Sequence, residues 1–181
     1  MDSLPPRAGK TSPVILVLGG ARSGKSRFAE SLLADRAGQR IYLATAEAGD
    51  EEMRQRIRHH QARRGDGWRT IEAPLDLATP IANAGDDAVL VDCLTLWLSN
   101  LMAAGRDVEV ATSALCQALD RAGGPVILVS NETGLGIVPD NALARQFRDR
   151  AGWLNQTIAA RADRVFFIAA GLPLTLKDNA A

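Results

Sequence analysis

The chain has 181 residues, 46% of them hydrophobic, which is typical of a single domain with one core. Its 21 basic side chains balance 21 acidic ones, so no overall charge attracts nucleic acid, and no apolar run approaches the roughly 18 residues that indicate membrane insertion. The two cysteines have no metal-ligand spacing and are too few for a disulfide framework, which favours a reducing, cytoplasmic compartment.

Residues 1–12 are polar, contain two prolines and lack the apolar core of a signal peptide. We expect them to form a flexible N-terminal tail, because chain ends of this kind are often disordered. Residues 13–181 are expected to form a single domain, since no repeat, low-complexity tract or linker interrupts them.

A glycine-rich loop follows the first predicted strand, at residues 14–18, and precedes a helix. The loop fits the pattern G-x-x-x-x-G-K-[ST] of the phosphate-binding P-loop, in which glycines let backbone N–H groups face phosphate oxygens. In this pattern Lys25 reaches the β- and γ-phosphates and the Ser26 hydroxyl holds Mg²⁺. A turn without a ligand is the alternative, which the agreement of strand, loop and helix disfavours. The predicted nucleotide-binding residues here are Gly19, Gly20, Ala21, Arg22, Ser23, Gly24, Lys25 and Ser26.

Beyond the loop, apolar strand-like runs alternate with helical patterns, which predicts an α/β fold with a mostly parallel sheet flanked by helices. The predicted strands are 41–44, 68–72, 88–92, 126–129, 165–169 and a possible edge strand at 174–176. The predicted helices are 27–34, 51–62, 94–104, 108–122, 141–162 and 75–84, the last of which contains the unfavourable Pro80.

Two of these helices have informative apolar patterns. Helix 94–104 is nearly all apolar, which indicates burial or a subunit contact. In helix 108–122, Val110, Ala114 and Ala118 recur at helical spacing.

The predicted helix 51–62 contains two adjacent histidines on different faces. His60 lies on an apolar stripe, which predicts a packed or hydrogen-bonded side chain, whereas His59 shares a stripe with Arg56 and Arg63. Neighbouring cations disfavour protonation of His59, keep its imidazole nucleophilic and would bind phosphates. From spacing alone, a solvated face with an incidental histidine is the simpler explanation.

Polar residues end several predicted strands. Asp92 follows four apolar residues, as a Walker-B carboxylate does, and its strand would place it beside the P-loop to bind Mg²⁺ directly or through water; a turn or cap is the alternative. Glu72 would accept hydrogen bonds from a sugar or base, although an isolated strand-end carboxylate is more often a surface residue. Asn131 and Glu132 lie where P-loop enzymes sense or polarise the transferred phosphate, with a plain turn as the alternative.

The combined pattern resembles the bifunctional adenosylcobinamide kinase/adenosylcobinamide-phosphate guanylyltransferase family of cobalamin biosynthesis. The resemblance covers residues 14–177, and its most specific segments are Arg56 to His60 and Ser130 to Pro139. The other matching segments are the P-loop, 42–46, 50–53, 68–72, 91–95 with 100–101, 147–152 with 155–156, and 171–177.

This resemblance implies a RecA-like P-loop NTPase core, a propeller-shaped homotrimer to whose interface helix 94–104 would partly contribute, and two Mg²⁺-dependent activities. The chain would phosphorylate adenosylcobinamide with ATP or GTP, and would then transfer GMP from GTP to give adenosylcobinamide-GDP and pyrophosphate. His59 matches the histidine that the family guanylylates, Lys25 is the second catalytic residue, and Ser26 and Asp92 would hold the metal. The other positions that fall where the family contacts GTP are Ala44, Thr45, Ala46, His60, Gln61, Ala62, Arg63, Glu72 and Asp92.

Two alternatives remain open. The first is a small-metabolite kinase that uses the same P-loop without nucleotidyl transfer, and labelling of the protein by GTP would distinguish it. The second is a non-catalytic RecA-like nucleotide-binding module, which bound nucleotide without turnover would favour.

Overall fold

The computed structural model describes residues 12–36, 38–46 and 67–179. The predicted N-terminal tail, up to residue 11, lies outside the described residues. The predicted helix 51–62 also lies outside them, together with the site residues predicted in and after it, namely His59, His60, Gln61, Ala62 and Arg63.

A seven-stranded sheet forms the centre of the fold. In chain order its strands are β1 (Val14–Gly19), β2 (Arg40–Ala44), β3 (Trp68–Glu72), β4 (Ala88–Asp92), β5 (Val126–Asn131), β6 (Arg164–Ala169) and β7 (Leu172–Asp178). In space the order is β3-β2-β4-β5-β1-β6-β7, and every neighbouring pair is parallel except β6 and β7. The prediction of a mostly parallel sheet, with an edge strand near residue 174, is confirmed.

Helices pack on both faces of this sheet. They are α1 (Lys25–Ser31), α2 (Ala78–Ala82), α3 (Leu94–Ala103), α4 (Val108–Arg121) and α5 (Ala142–Arg161). Helices α2 to α5 share one core cluster, whereas α1 packs into a second cluster on the opposite face. Because β1, β4 and β5 contribute to both clusters, their sequences are continuous apolar runs. None of the described helices is both long and apolar enough to cross a bilayer.

Helix α2 is shorter than predicted and occupies only the middle of residues 75–84. Pro80 lies in its first turn, where the backbone N–H groups have no intrahelical acceptor, so the missing N–H costs little there. Asp76 precedes the helix, and its Oδ1 accepts a hydrogen bond from the Thr79 N–H at 3.1 Å.

The residues that α4 buries are not the row of apolar residues at four-residue intervals from which the helix is predicted. Val110 is 67% exposed, and Ala114 is exposed as well, whereas Leu115 and Leu119 are buried with Ala118. A row of residues at strict four-residue intervals drifts around the helix, because one turn takes 3.6 residues. The buried face instead follows mixed spacings of three and four.

Helix α3 is nearly all apolar because the core of the protomer itself uses it. Trp97, Leu98 and Leu101 are buried in the larger core cluster. The helix then ends before Gly105, whose φ of +62° favours glycine. Burial within the protomer therefore accounts for the apolar composition of α3 without a subunit contact.

Leu115→Ala and Val110→Ala test the orientation of α4. Leu115 is fully buried, so its truncation should lower the free energy of unfolding by about 2–5 kcal/mol. The mostly exposed Val110 should change it by no more than about 0.5 kcal/mol. Urea unfolding of both variants measures the difference, and equal effects would contradict this orientation.

Candidate functional site

The described site residues lie along one edge of the sheet. Strands β1 to β5 are all parallel, so their carboxyl ends meet at this edge, where open α/β sheets bind ligands. Ala44 pairs with Glu72 on one side and with Asp92 on the other. Three predicted site residues therefore form one row, while the P-loop begins farther along the same edge.

The P-loop begins at the end of β1, which pairs with β5 on one side and with β6 on the other. Gly19 pairs with Asn131 of β5 and with Ile168 of β6. A Cβ atom at Gly19 would lie 2.5 Å from the carbonyl oxygen of Ile168 and 2.8 Å from the Oγ of Ser23. With a φ of +153° as well, this position admits only glycine.

The turn between β6 and β7 supports the other half of the loop. The N–H of Gly171 donates to the carbonyl oxygen of Ser23 at 2.9 Å. A Cβ atom at Gly24, whose φ is +99°, would lie 3.3 Å from the Cα of Gly171. The shape of the loop is therefore held by contacts with the sheet.

Lys25 is buried, and its ammonium group lies against the loop. Its Nζ donates to the carbonyl oxygen of Gly20 at 2.6 Å, and only 7% of the residue is exposed. A cation held within a loop of backbone N–H groups is suited to bind phosphate oxygens.

Gly19→Ala and Gly20→Ala separate the steric demand of the loop from its binding role. Gly19→Ala should lower the free energy of unfolding by at least about 2 kcal/mol, since the added methyl group meets backbone and side-chain oxygens. At Gly20 an added Cβ meets nothing within 4 Å, so the change should stay within about 1 kcal/mol. Urea unfolding without nucleotide provides the comparison, and a stable Gly19→Ala variant would refute the close approach.

Asp92 ends β4, which is not the direct neighbour of β1. Strand β5 lies between them, so two spacings of about 4.8 Å separate the two strands. Asp92 nevertheless lies at the same edge of the sheet as the P-loop, and its role beside bound phosphates stays a prediction. The hydroxyl of Tyr42 donates to Oδ2 of Asp92 at 3.1 Å and orients the carboxylate.

The donor set fits Mg²⁺. In nucleotide enzymes this ion keeps several water ligands and takes only one or two protein oxygens besides the phosphates. Asp92 offers a half-buried carboxylate, and Ser26 offers a hydroxyl in the first turn of α1. Ser26 and Asp92 are therefore the residues that would hold the ion, and whether Asp92 binds it directly or through water stays open.

Cys93 follows Asp92 but does not have the properties of a nucleophile. Burial, together with the Asp92 carboxylate, raises the pKa of its thiol to about 11. The thiolate is the reactive form of cysteine, and at neutral pH this side chain is protonated.

Thr45 is fully buried, and its polar groups bond within the protein. Its hydroxyl donates to the carbonyl oxygen of Cys93 at 2.8 Å and accepts from the N–H of Cys93 at 2.7 Å. Its N–H donates to the carbonyl oxygen of Asp92 at 3.2 Å. The side chain thus joins the ends of β2 and β4, and the contact of Ala44, Thr45 and Ala46 with a nucleotide stays a prediction.

Glu72 is exposed at the end of β3 and lines a surface cavity of about 420 Å³. The cavity is also lined by the segment that leads into α2, by Thr79 of that helix and by Asn83, directly after it. A carboxylate at the rim of such a cavity is able to accept hydrogen bonds from hydroxyl or amino groups.

Two buried polar side chains that the strand and loop patterns did not reveal hold the end of β5. Thr95 of α3 accepts a hydrogen bond from the N–H of Asn131 at 2.7 Å, and Asn155 of α5 donates to the carbonyl oxygen of Asn131 at 3.2 Å. The N–H of Glu132 donates to the carbonyl oxygen of Gly19 at 3.1 Å. Thr95 is one of three polar residues in the mostly apolar α3, and both Thr95 and Asn155 fall within segments that the family resemblance covers.

Comparison with known proteins identifies the family. The sequence profile described as cobinamide kinase / cobinamide phosphate guanyltransferase matches residues 15–176. The chain belongs to this family. It is 51% identical over 168 residues to the bifunctional adenosylcobalamin biosynthesis protein CobP of Pseudomonas aeruginosa, with 91% of this chain and 97% of the relative covered. It is 43% identical over 181 residues to the CobU protein of Salmonella typhimurium, with 91% and 99% covered.

This cobinamide kinase family member also resembles a solved ATPase from the type III secretion system of pathogenic bacteria. The TM-score is 0.56 at 15% sequence identity, and the match covers 90% of this chain. The chain spans 56% of the length of that ATPase, and the likeness concerns the fold alone. The predicted RecA-like P-loop core is thereby confirmed.

Proposed function

We propose that this chain phosphorylates adenosylcobinamide and then transfers GMP from GTP to the product. The observation that carries the proposal is the match of a family with both activities to residues 15–176. The described part of the chain supports it with a P-loop whose shape is held by the sheet.

In the kinase step, the hydroxyl oxygen of the aminopropanol arm attacks the γ-phosphorus of ATP or GTP. A new O–P bond forms, the bond from this phosphorus to the β,γ-bridging oxygen breaks, the hydroxyl proton passes to water, and the nucleoside diphosphate leaves. Such a step depends on positioning and charge neutralisation. Lys25 offsets the charge of the β- and γ-phosphates. Ser26 and Asp92 would hold Mg²⁺, which when bound neutralises further phosphate charge.

In the transferase step, a nitrogen of neutral His59 attacks the α-phosphorus of GTP. An N–P bond forms, the bond to the α,β-bridging oxygen breaks, and pyrophosphate leaves. A phosphate oxygen of the corrinoid substrate then attacks the same phosphorus, the N–P bond breaks, and adenosylcobinamide-GDP is released. The covalent intermediate divides one displacement between anions into two steps. The match of the paired-histidine segment supports this role of His59, which lies outside the described residues.

The sheet edge supports a site long enough for a nucleotide and a large acceptor. One group of predicted site residues lies at the ends of β1 and β5, and a second group lies at the ends of β2 and β3. Three strand spacings, about 14 Å in total, separate β1 from β2. The P-loop would hold phosphates, and the second group would contact the remainder of GTP.

Within this function we also propose a homotrimer in the cytoplasm. Exposed leucines on β7, at positions 172, 174 and 176, support a subunit contact, since large exposed apolar patches often mark interfaces. Light scattering of the purified chain measures its mass, and the mass of a monomer would contradict the trimer.

Lys25→Ala should reduce kcat/KM of the kinase step by at least about 100-fold, because the cation that balances the phosphates is lost. Lys177→Ala is the matched control. Lys177 donates to carbonyl oxygens of Ala159 and Ala160 in α5, near the end of β7 that is remote from the P-loop. Normal kinase turnover in the Lys25 variant would rule out the P-loop role.

GTP labelled at the α-phosphate should leave an acid-labile, base-stable label on the protein. His59→Asn should abolish this label, because the attacking nitrogen is removed, while the control His60→Asn should retain label. Retention of label by the His59 variant would remove His59 from the mechanism. An unlabelled but kinase-active unmodified chain would instead favour a small-metabolite kinase.

A further inference from the structure

Asn100 of helix α3 contacts the chain just beyond two different strands. Its Nδ2 donates to the carbonyl oxygen of Thr45, after β2, at 2.8 Å, and to the carbonyl oxygen of Pro74, after β3, at 3.1 Å. Carbonyl oxygens only accept hydrogen bonds, so both contacts require the NH₂ group and define the orientation of the amide. One side chain therefore fixes the separation of the segments that directly follow β2 and β3, around Thr45 and Pro74, which we call the exits of these strands.

Nearby contacts limit how far these exits are able to move independently. The N–H of Ala73 donates to the carbonyl oxygen of Ala44 at 2.8 Å. The Nε1 of Trp97, also on α3, donates to the carbonyl oxygen of Leu75 at 2.8 Å. Asn100 is the contact that links α3 to both exits at once, because Trp97 reaches only the one after β3.

We propose that Asn100 is a positioning residue for the GTP-contacting end of the site, an inference that rests on the proposed guanylyl transfer. It binds the backbone at Thr45, directly after Ala44, and at Pro74, two residues after Glu72. These two strand exits are the ones predicted to contact GTP. The P-loop lies three and four strand spacings from β2 and β3, and its own contacts involve β5, β6 and the β6–β7 turn. Loss of Asn100 should therefore impair the use of GTP in guanylyl transfer more than the use of ATP in the kinase step.

Asn100→Ala removes both donors, and Asn100→Asp keeps the shape of the side chain while placing a carboxylate against two carbonyl oxygens. Both should raise KM for GTP in guanylyl transfer at least about tenfold, because groups that contact the nucleotide are misplaced. Both should change kcat/KM of the ATP-dependent kinase step less than about threefold, because the P-loop lies three or more strand spacings away and distant sites act nearly independently. Asn100→Ser, which retains one shorter donor, should give an intermediate KM and protects the test against a variant that does not fold.

Asp107→Ala is the matched control for lost stability. The Oδ1 of Asp107 also makes two hydrogen bonds to backbone groups, accepting from the N–H of Glu109 at 2.9 Å and from that of Val110 at 3.0 Å. This variant should lower the melting temperature without changing KM for GTP.

Equal loss of both activities in the Asn100 variants, or an unchanged KM for GTP, would overturn the positioning role. Failure of the proposed function itself is visible separately, because the unmodified chain would then transfer no GMP from GTP before any variant is compared.

Discussion

The close approach of Gly19 to Ile168 is the constraint on which the site depends. It requires a residue without Cβ at the end of β1, and it lets the P-loop leave the sheet tightly between β5 and β6. The contact of Gly171 with Ser23 then supports the far side of the loop. A loop shaped by its own sheet needs little rearrangement when phosphates bind, so less binding energy is lost in ordering it.

Helix α3 connects the two ends of the site through its few polar side chains. Thr95 binds the exit of β5, and Asn100 binds the exits of β2 and β3. A polar group in such surroundings is costly unless it is hydrogen-bonded, so each contact favours one arrangement of the strand ends over others. Leu94, Trp97, Leu98 and Leu101 of α3 are buried in the larger core cluster, which anchors these contacts.

Local pattern was sufficient for the strands and for the P-loop, because continuous apolar runs and a fixed glycine spacing are signals within a few residues. The local pattern does not predict which strand lies beside β1, since nothing in the sequence near these strands indicates that β5 lies between β1 and β4. The contacts of Asn100 with Thr45 and of Gly171 with Ser23 join distant parts of the chain, and no periodicity predicts them. The spacing of Val110, Ala114 and Ala118 correctly predicts helix α4, but it does not show which face is buried, because Val110 is exposed.

The arrangement also indicates where nucleotide selectivity has to arise. Under the proposed function, backbone N–H groups and Lys25 would bind phosphates, which ATP and GTP share, so the P-loop alone would not distinguish the two. A carboxylate such as Glu72 accepts hydrogen bonds from amino groups, and in this fold it lies about 19 Å, four strand spacings, from β1. Under the proposed function, discrimination between the nucleotides would therefore belong to the exits of β2 and β3, and it would depend on how firmly α3 holds those exits in place.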